Sequence, residues 1–379
     1  MERPESPYPD EPYRFVVTSM EVSQDDQEAH IVLDGNPRVY DSGTRLTVAY
    51  RRNEEDAEAL ENRLLDCEDD PENAVLEALE EVLQDISQFY DTVTRIALET
   101  VGGKLTATVT EDVDNILGYL PIPPQLSNIS TVKITDLERI SPVGMDVDCV
   151  KWRGETYAFK KTGESLKGTL RELTILDRLS NSPSIISLKA IVVNLDGTIR
   201  GFLTPFMYFG DLANVFRRKP GARDSADDSE PTAFVWELRH AWACQITQAV
   251  VELHAISAFN GDLKPQNVLI GPQGNAILVD FLPMGISDEF AAPEVLEMAR
   301  DHTTPFESVL TAPTDVYSLG LVLWAVAEEK YRVARPLVRR DKTPKWYIDI
   351  VQSCLALDAD ARPSALEVHA LLESGGAQS

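Results

Sequence analysis

Cysteine and histidine are scarce in this chain: four cysteines (Cys67, Cys149, Cys244, Cys354) and five histidines. The cysteines stand far apart with no CxxC pair, which argues against thiol metal ligation and against a disulfide framework. A reducing, intracellular location, cytoplasmic or nuclear, is therefore expected. The histidines lack metal-ligand spacing, so no zinc or iron site is expected. No apolar run approaches the roughly eighteen residues of a membrane span. The polar, proline-rich start, Met1 to Tyr13, carries no secretory signal.

Positive charge is the next shortage. The net charge is −27, and residues 1–130 hold 9 basic against 29 acidic residues, a net of −20 that leaves −7 for the remainder. Such a field disfavours nucleic acid and anionic membrane as partners. The acidic N-terminal region reads as a solvated surface, or, as the sharper reading, as a docking face for a basic protein. A 379-residue chain with 43% hydrophobic residues is long enough for two or three folding units.

Residues 1–12 read as disordered, and residues 13–120 as a small α/β region of unknown function. Strands are expected at Arg14–Ser19, His30–Leu33 and Arg45–Tyr50, and a charged surface helix at Glu54–Asp66. Asp70 and Pro71 form a helix start. Behind them Val75, Leu76, Leu79, Val82, Leu83, Ile86 and Phe89 recur at helical spacing. Val101-Gly102-Gly103-Lys104 predicts a hairpin, and the prolines of residues 121–130 a linker. From Thr131 the pattern becomes strands near 147–152, 155–161, 186–193 and 201–204 around a helix at 166–179. Helices then follow at 211–218, 233–256, 312–329, 344–356 and 364–373. A strand-rich lobe over 131–206 and a helix-rich lobe over 207–375 make a two-lobed α+β plan.

The residues that bear chemistry cluster in Asn260-Gly261-Asp262-Leu263-Lys264-Pro265-Gln266-Asn267 and in Val279-Asp280-Phe281-Leu282. The turn Gly271–Asn275 between two short strands brings Asp262, Asn267 and Asp280 to one end of a hairpin. Hard oxygen ligands, a nearby cation and a carboxylate that orients an attacking hydroxyl suit magnesium-assisted phosphoryl transfer.

NGDLKPQN resembles the catalytic loop of eukaryotic-type protein kinases, and DFL their DFG motif. Ala292-Pro293-Glu294 is similar to the APE motif. Asp315-Val316-Tyr317-Ser318-Leu319-Gly320 is similar to the start of the central helix, where Asp315 would brace the catalytic loop. Arg362-Pro363-Ser364 resembles a motif whose arginine pairs with Glu294. Tyr157-Ala158-Phe159-Lys160 looks like the VAIK strand, with Glu172 as the carboxylate partner of Lys160; alternation favours Lys160 over Lys161 for the inner face. The resemblance covers about residues 135–375. It implies ATP and Mg2+, with Asp262 as base, Lys264 on the transferring phosphoryl, and Asn267 and Asp280 on the metal. Gly144, Val150, Ala158, Thr204 (the gatekeeper) and the Met207 backbone would contact nucleotide. An N-terminal extension running into Asp136-Leu137-Glu138-Arg139-Ile140-Ser141 adds a likeness to fungal kinase-like families.

Three departures stand against the family pattern. Within Ile140–Val150 only Gly144 remains of a glycine-rich loop, which weakens the backbone grip on phosphate. Asn260-Gly261 replaces His-Arg, so the arginine that would receive an activation-segment phosphate is gone. Ser287 is the only hydroxyl side chain between Asp280 and Glu294, and activity is expected not to depend on its phosphorylation. Leu282 replaces a glycine and is expected to restrict that motif. The function expected is serine/threonine-type phosphoryl transfer to a protein substrate. The alternatives are a pseudokinase that binds nucleotide or docks a protein, and a small-molecule phosphotransferase.

Overall fold

Ala29, Ile31 and Leu33 are buried while His30 and Val32 between them are only half-buried, as in a strand packed on one face. The computed structural model describes residues 15–23, 27–35, 45–67, 69–83, 94–110, 119–144, 146–162, 166–218, 234–281, 287–299, 310–333, 335, 337 and 343–376. The expected disorder of 1–12, Ile86, Phe89 and Leu282 lie outside these. The chain divides into residues 1–119 with 142–146, and residues 120–141 with 147–379.

In the first unit β1 (Phe15–Val22), β2 (Glu28–Gly35), β3 (Arg45–Arg51), β4 (Arg95–Val101) and β5 (Lys104–Thr110) form one sheet in chain order. Strands β3 and β4 run parallel, so their connection must cross over. It carries α1 (Leu60–Leu65) and α2 (Pro71–Leu83). Val75 and Leu79 of α2 pack with Ile31, Leu33 and Ile96 in the core of this unit. The β4–β5 turn uses Gly102 and Gly103, both at positive φ. The helix expected at Glu54–Asp66 is shorter and more buried. Residues before Leu60 are held in a cap instead, Asn62 donating to the carbonyls of Asn53 and Asp56. Glu61 is buried, accepting from Asn53 at 3.3 Å and paired with the Thr100 hydroxyl.

In the second unit β6 (Thr131–Lys133), β7 (Glu138–Pro142), β8 (Val147–Trp152), β9 (Glu155–Lys161), β10 (Ala190–Val193) and β11 (Ile199–Pro205) form a sheet in the order β6-β10-β11-β9-β8-β7. Helix α3 (Leu166–Arg178) follows β9. Residues 121–130, read above as a linker, include Leu126, which is buried in the main core, and Ser130, whose carbonyl accepts from Ile191. The strand expected from Ile186 begins only at Ala190. Ser184 and Ile186 exchange hydrogen bonds with Leu278 of a different hairpin, which draws that segment away from the sheet.

The helix-rich lobe holds α4 (Leu212–Arg217), α5 (Trp236–Ala255), the hairpin of β12 (Val268–Ile270) and β13 (Ala276–Leu278), α6 (Pro293–Ala299), α7 (Ala312–Glu328), α8 (Lys345–Cys354) and α9 (Ala365–Gly376). Helix α7 is buried on every side from Thr314 onward, as befits a helix apolar all round. A Cβ on Gly320 would meet the Cys354 Cβ at 2.6 Å, so glycine is what lets α7 and α8 touch. A Thr311–Thr314 capping box starts α7 and sets Asp315 in its first turn. This is the expected two-lobed α+β plan. No described helix is long and apolar enough to cross a membrane.

Candidate functional site

The roof of the site follows from one turn. Arg153 and Gly154, at φ 51° and 86°, link β8 to β9, and a two-residue turn of this kind fixes the register of its strands. Val147 stands opposite Lys160 and Cys149 opposite Ala158. Across β9 and β11, Phe202 faces Lys160 and Thr204 faces Ala158. Side chains alternate between faces, so Cys149, Ala158, Lys160 and Thr204 share one.

Val150 does not join them. It pairs with Tyr157 and packs with Phe159, Val192 and Leu203 in a separate small core on the opposite face, which corrects its expected place against nucleotide. Lys161 also points away, 3.8 Å from an Asp148 that binds Arg139 at 2.8 Å. A Cβ on Gly201 would lie 2.1 Å from the Lys160 carbonyl, so glycine is required beside the cleft lysine.

Lys160 is the hub. Its Nζ lies 2.9 and 2.8 Å from the two Glu172 oxygens and 2.8 Å from Asp280 Oδ1. Burial alone would push the ammonium down; Glu172, then Asp280, outweigh it and hold it above its ordinary value. Glu172 is 2% exposed, and burial pushes its carboxyl up against the pull of Lys160. Its Oε1 also accepts from the Phe281 N–H at 3.2 Å. Leu173 and Leu176 bury the same side of α3, so packing aims Glu172 inward.

The floor is built on Asp315. Its carboxylate accepts from the Asn260 and Gly261 N–H groups at 2.8 and 2.9 Å and from His254 Nε2 at 3.0 Å. Gly261 sits at φ 81°, a conformation that glycine adopts without strain. Asn260 in turn donates to the Asp280 carbonyl at 3.1 Å and accepts from the Asp262 N–H at 3.1 Å. Asn267 donates its Nδ2 to the Asp262 carbonyl at 2.9 Å and accepts on its own carbonyl from Val279. Lys264 Nζ lies 2.6 Å from Asp262 Oδ2 and donates to Ser287 Oγ at 2.9 Å. Asp280 adopts a left-handed φ of 62°.

The donor sets of these residues suit a nucleotide and a metal. Asn267 spends its amide nitrogen on the Asp262 carbonyl, which leaves its side-chain oxygen as an acceptor; with the Asp280 carboxylate this makes two hard oxygen donors of the kind magnesium takes. The Met207 carbonyl accepts from Gly210 at 3.1 Å, whereas its N–H has no internal acceptor among the described residues, which fits an adenine edge. Gly144 lies in the exposed β7–β8 connection with open space around it. Among the described residues no group of three or more His, Cys, Asp or Glu side chains could hold a metal ion.

Sequence reasoning overlooked two residues. Cys149 was findable by counting back from the Arg153-Gly154 turn, because the register follows from it. Arg171 had no local signal. It donates to the carbonyls of Phe259 at 2.6 Å and Phe281 at 3.1 Å, residues far away in the chain. Farther down, Arg362 makes a two-pronged pair with Glu294 at 2.5 and 2.9 Å.

The family model of the protein kinase domain matches residues 143–371. The chain is 28% identical over 161 residues to serine/threonine-protein kinase dst2 of Dictyostelium discoideum, covering 35% of this chain and 14% of that protein. It is 26% identical over 270 residues to the cyclin-dependent kinase 4 homolog of Caenorhabditis elegans, covering 56% and 63%. It is 29% identical over 157 residues to the mitosis inhibitor protein kinase mik1 of Schizosaccharomyces pombe, covering 40% and 25%. The matches thus span 14 to 63% of these relatives' lengths.

Proposed function

The chain belongs to the protein kinase family, and from that premise we propose that it transfers the γ-phosphoryl group of ATP, with magnesium, to serine or threonine hydroxyls of a protein. The observation that carries the proposal is the buried meeting of Lys160 with Glu172 and Asp280 at 2.8–2.9 Å. An unpaired lysine swings freely; two carboxylates fix its charge where phosphate oxygens bind.

Asp262 takes the proton of the substrate hydroxyl. The hydroxyl oxygen bonds to phosphorus as the bond to the ADP oxygen breaks. Lys264 moves from its contact with Asp262 to steady the transferring group, a choice typical of serine/threonine enzymes. Asn267 and Asp280 hold magnesium, which when bound neutralises the charge that develops on the phosphate oxygens. Ala158, Thr204 and Cys149 pack the base, and the Met207 N–H donates to it.

The test is transfer from γ-labelled ATP, in magnesium, to a generic basic protein or to the chain itself. Labelled product is expected. Stabilisation of the chain by nucleotide, with no transfer in magnesium or manganese, would instead favour the docking reading, which the loss of glycines around Gly144 motivates. The Glu294–Arg362 pair weighs against a small-molecule phosphotransferase.

The register gives a paired prediction. Cys149→Phe, which fills the cleft face, weakens ATP binding by at least about tenfold, or about 1.4 kcal/mol. Val150→Ala lowers stability but leaves ATP affinity unchanged. Calorimetric titration distinguishes them, and the opposite pattern would refute the assignment of faces.

The likeness to fungal kinase-like families, an intracellular location and a basic protein partner for the acidic N-terminal region complete the proposal. The wide spacing of the four cysteines, with no CxxC pair, supports the location, and the charge imbalance supports the basic partner.

A further inference from the structure

We propose that Arg171 is a positioning residue that holds α3 closed on the cleft, in the absence of any activation-segment phosphate. This rests on the kinase reading above. Glu172 reaches Lys160 only if α3 sits close, and nothing in the Lys160–Glu172 pair itself prevents the helix from swinging out. Arg171, its neighbour, spans the gap. One arm of the guanidinium donates to Phe281 O at 3.1 Å and the other to Phe259 O at 2.6 Å.

A single planar fork thus joins the helix to the segment carrying Asp280 and to the loop leading into Asp262. Two turns farther along the same side, Arg178 donates to Ile256 O at 3.2 Å. Both anchors grip backbone carbonyls, which are present whatever the state of modification. The position where the family's arginine would receive a phosphate is Gly261, whose N–H is already committed to Asp315. The only hydroxyl in that segment, Ser287, accepts from Lys264 at 2.9 Å. Ser287→Ala would therefore disturb Lys264 whether or not Ser287 is ever phosphorylated, and phosphatase treatment is the cleaner probe.

The experiment compares the full-length chain with Arg171→Leu and Arg171→Lys. Charge-assisted hydrogen bonds of this kind bring an expected fall in kcat of about tenfold to hundredfold for Arg171→Leu. KM for ATP and the melting temperature should stay near wild type, and Arg171→Lys, which can reach one carbonyl, should recover part of the loss. Hydrogen exchange at the Phe281 amide, which bonds Glu172, should accelerate in Arg171→Leu, and phosphatase treatment of the wild type should leave kcat unchanged. Unchanged kcat and exchange in Arg171→Leu, or a phosphatase-induced fall in the wild type, would overturn the proposal. So would a loss of melting temperature and of kcat that Arg171→Lys does not relieve. Should the wild type transfer no phosphate at all, the kinase reading fails, while exchange at Phe281 still decides the role of Arg171.

Discussion

Asp262→Asn is expected to lower phosphoryl transfer by about 10²- to 10⁴-fold, the usual weight of a positioned general base, with ATP binding close to wild type. The substitution is nearly isosteric, and the main-chain groups that orient residue 262 are held independently of its side chain. Its N–H is fixed by Asn260 and its carbonyl by Asn267. What is lost is the acceptor for the hydroxyl proton and the counter-charge 2.6 Å from Lys264. Turnover with labelled ATP, paired with titration calorimetry, measures the two effects separately. Residual turnover within tenfold of wild type would remove Asp262 from the role of base.

Arg362→Met should cost the kinase unit about 1–3 kcal/mol, the cost of leaving buried acceptors without their donor. The Arg362 side chain is fully buried. Besides both oxygens of Glu294, it donates to the carbonyls of Pro313 and Ala356 at 2.9 Å and lies over the Tyr317 ring. Methionine fills much of the volume and satisfies none of these acceptors.

The pair also carries a pH signature. Burial pushes the Glu294 carboxyl up, but hydrogen bonds from Arg362 outweigh it and leave it below its ordinary value of 4.5. A carboxylate depressed in the folded state adds stability above its unfolded value and loses it as pH falls through the folded one. The gap in urea midpoint between wild type and Arg362→Met is therefore widest at neutral pH and narrows through the carboxylate range. A gap that grows in acid would contradict the pairing.

The catalytic cluster was legible in the sequence because short-range geometry determines it. Five positions separate Asp262 from Asn267, and a tight turn returns the chain to Asp280. The helix spacing of α2 was legible for the same reason. The resemblance points to Val150 for the nucleotide face, whereas counting from the Arg153-Gly154 turn gives Cys149. The acidic stretch before Asp66 looked solvated because charge dominates it, yet Thr100, 39 positions away, satisfies Glu61. The contacts of Arg171 span 88 and 110 positions and exist only once the two lobes have docked. No local pattern encodes them.

The left-handed backbone at Asp280 has a consequence for how such a chain can change. Non-glycine residues held there store of order 1–3 kcal/mol of strain, and glycine would relieve it at once. Against that relief stands the ion pair of its carboxylate with the buried Lys160 at 2.8 Å, so the backbone cost of the aspartate is set against the charge it brings to the cleft.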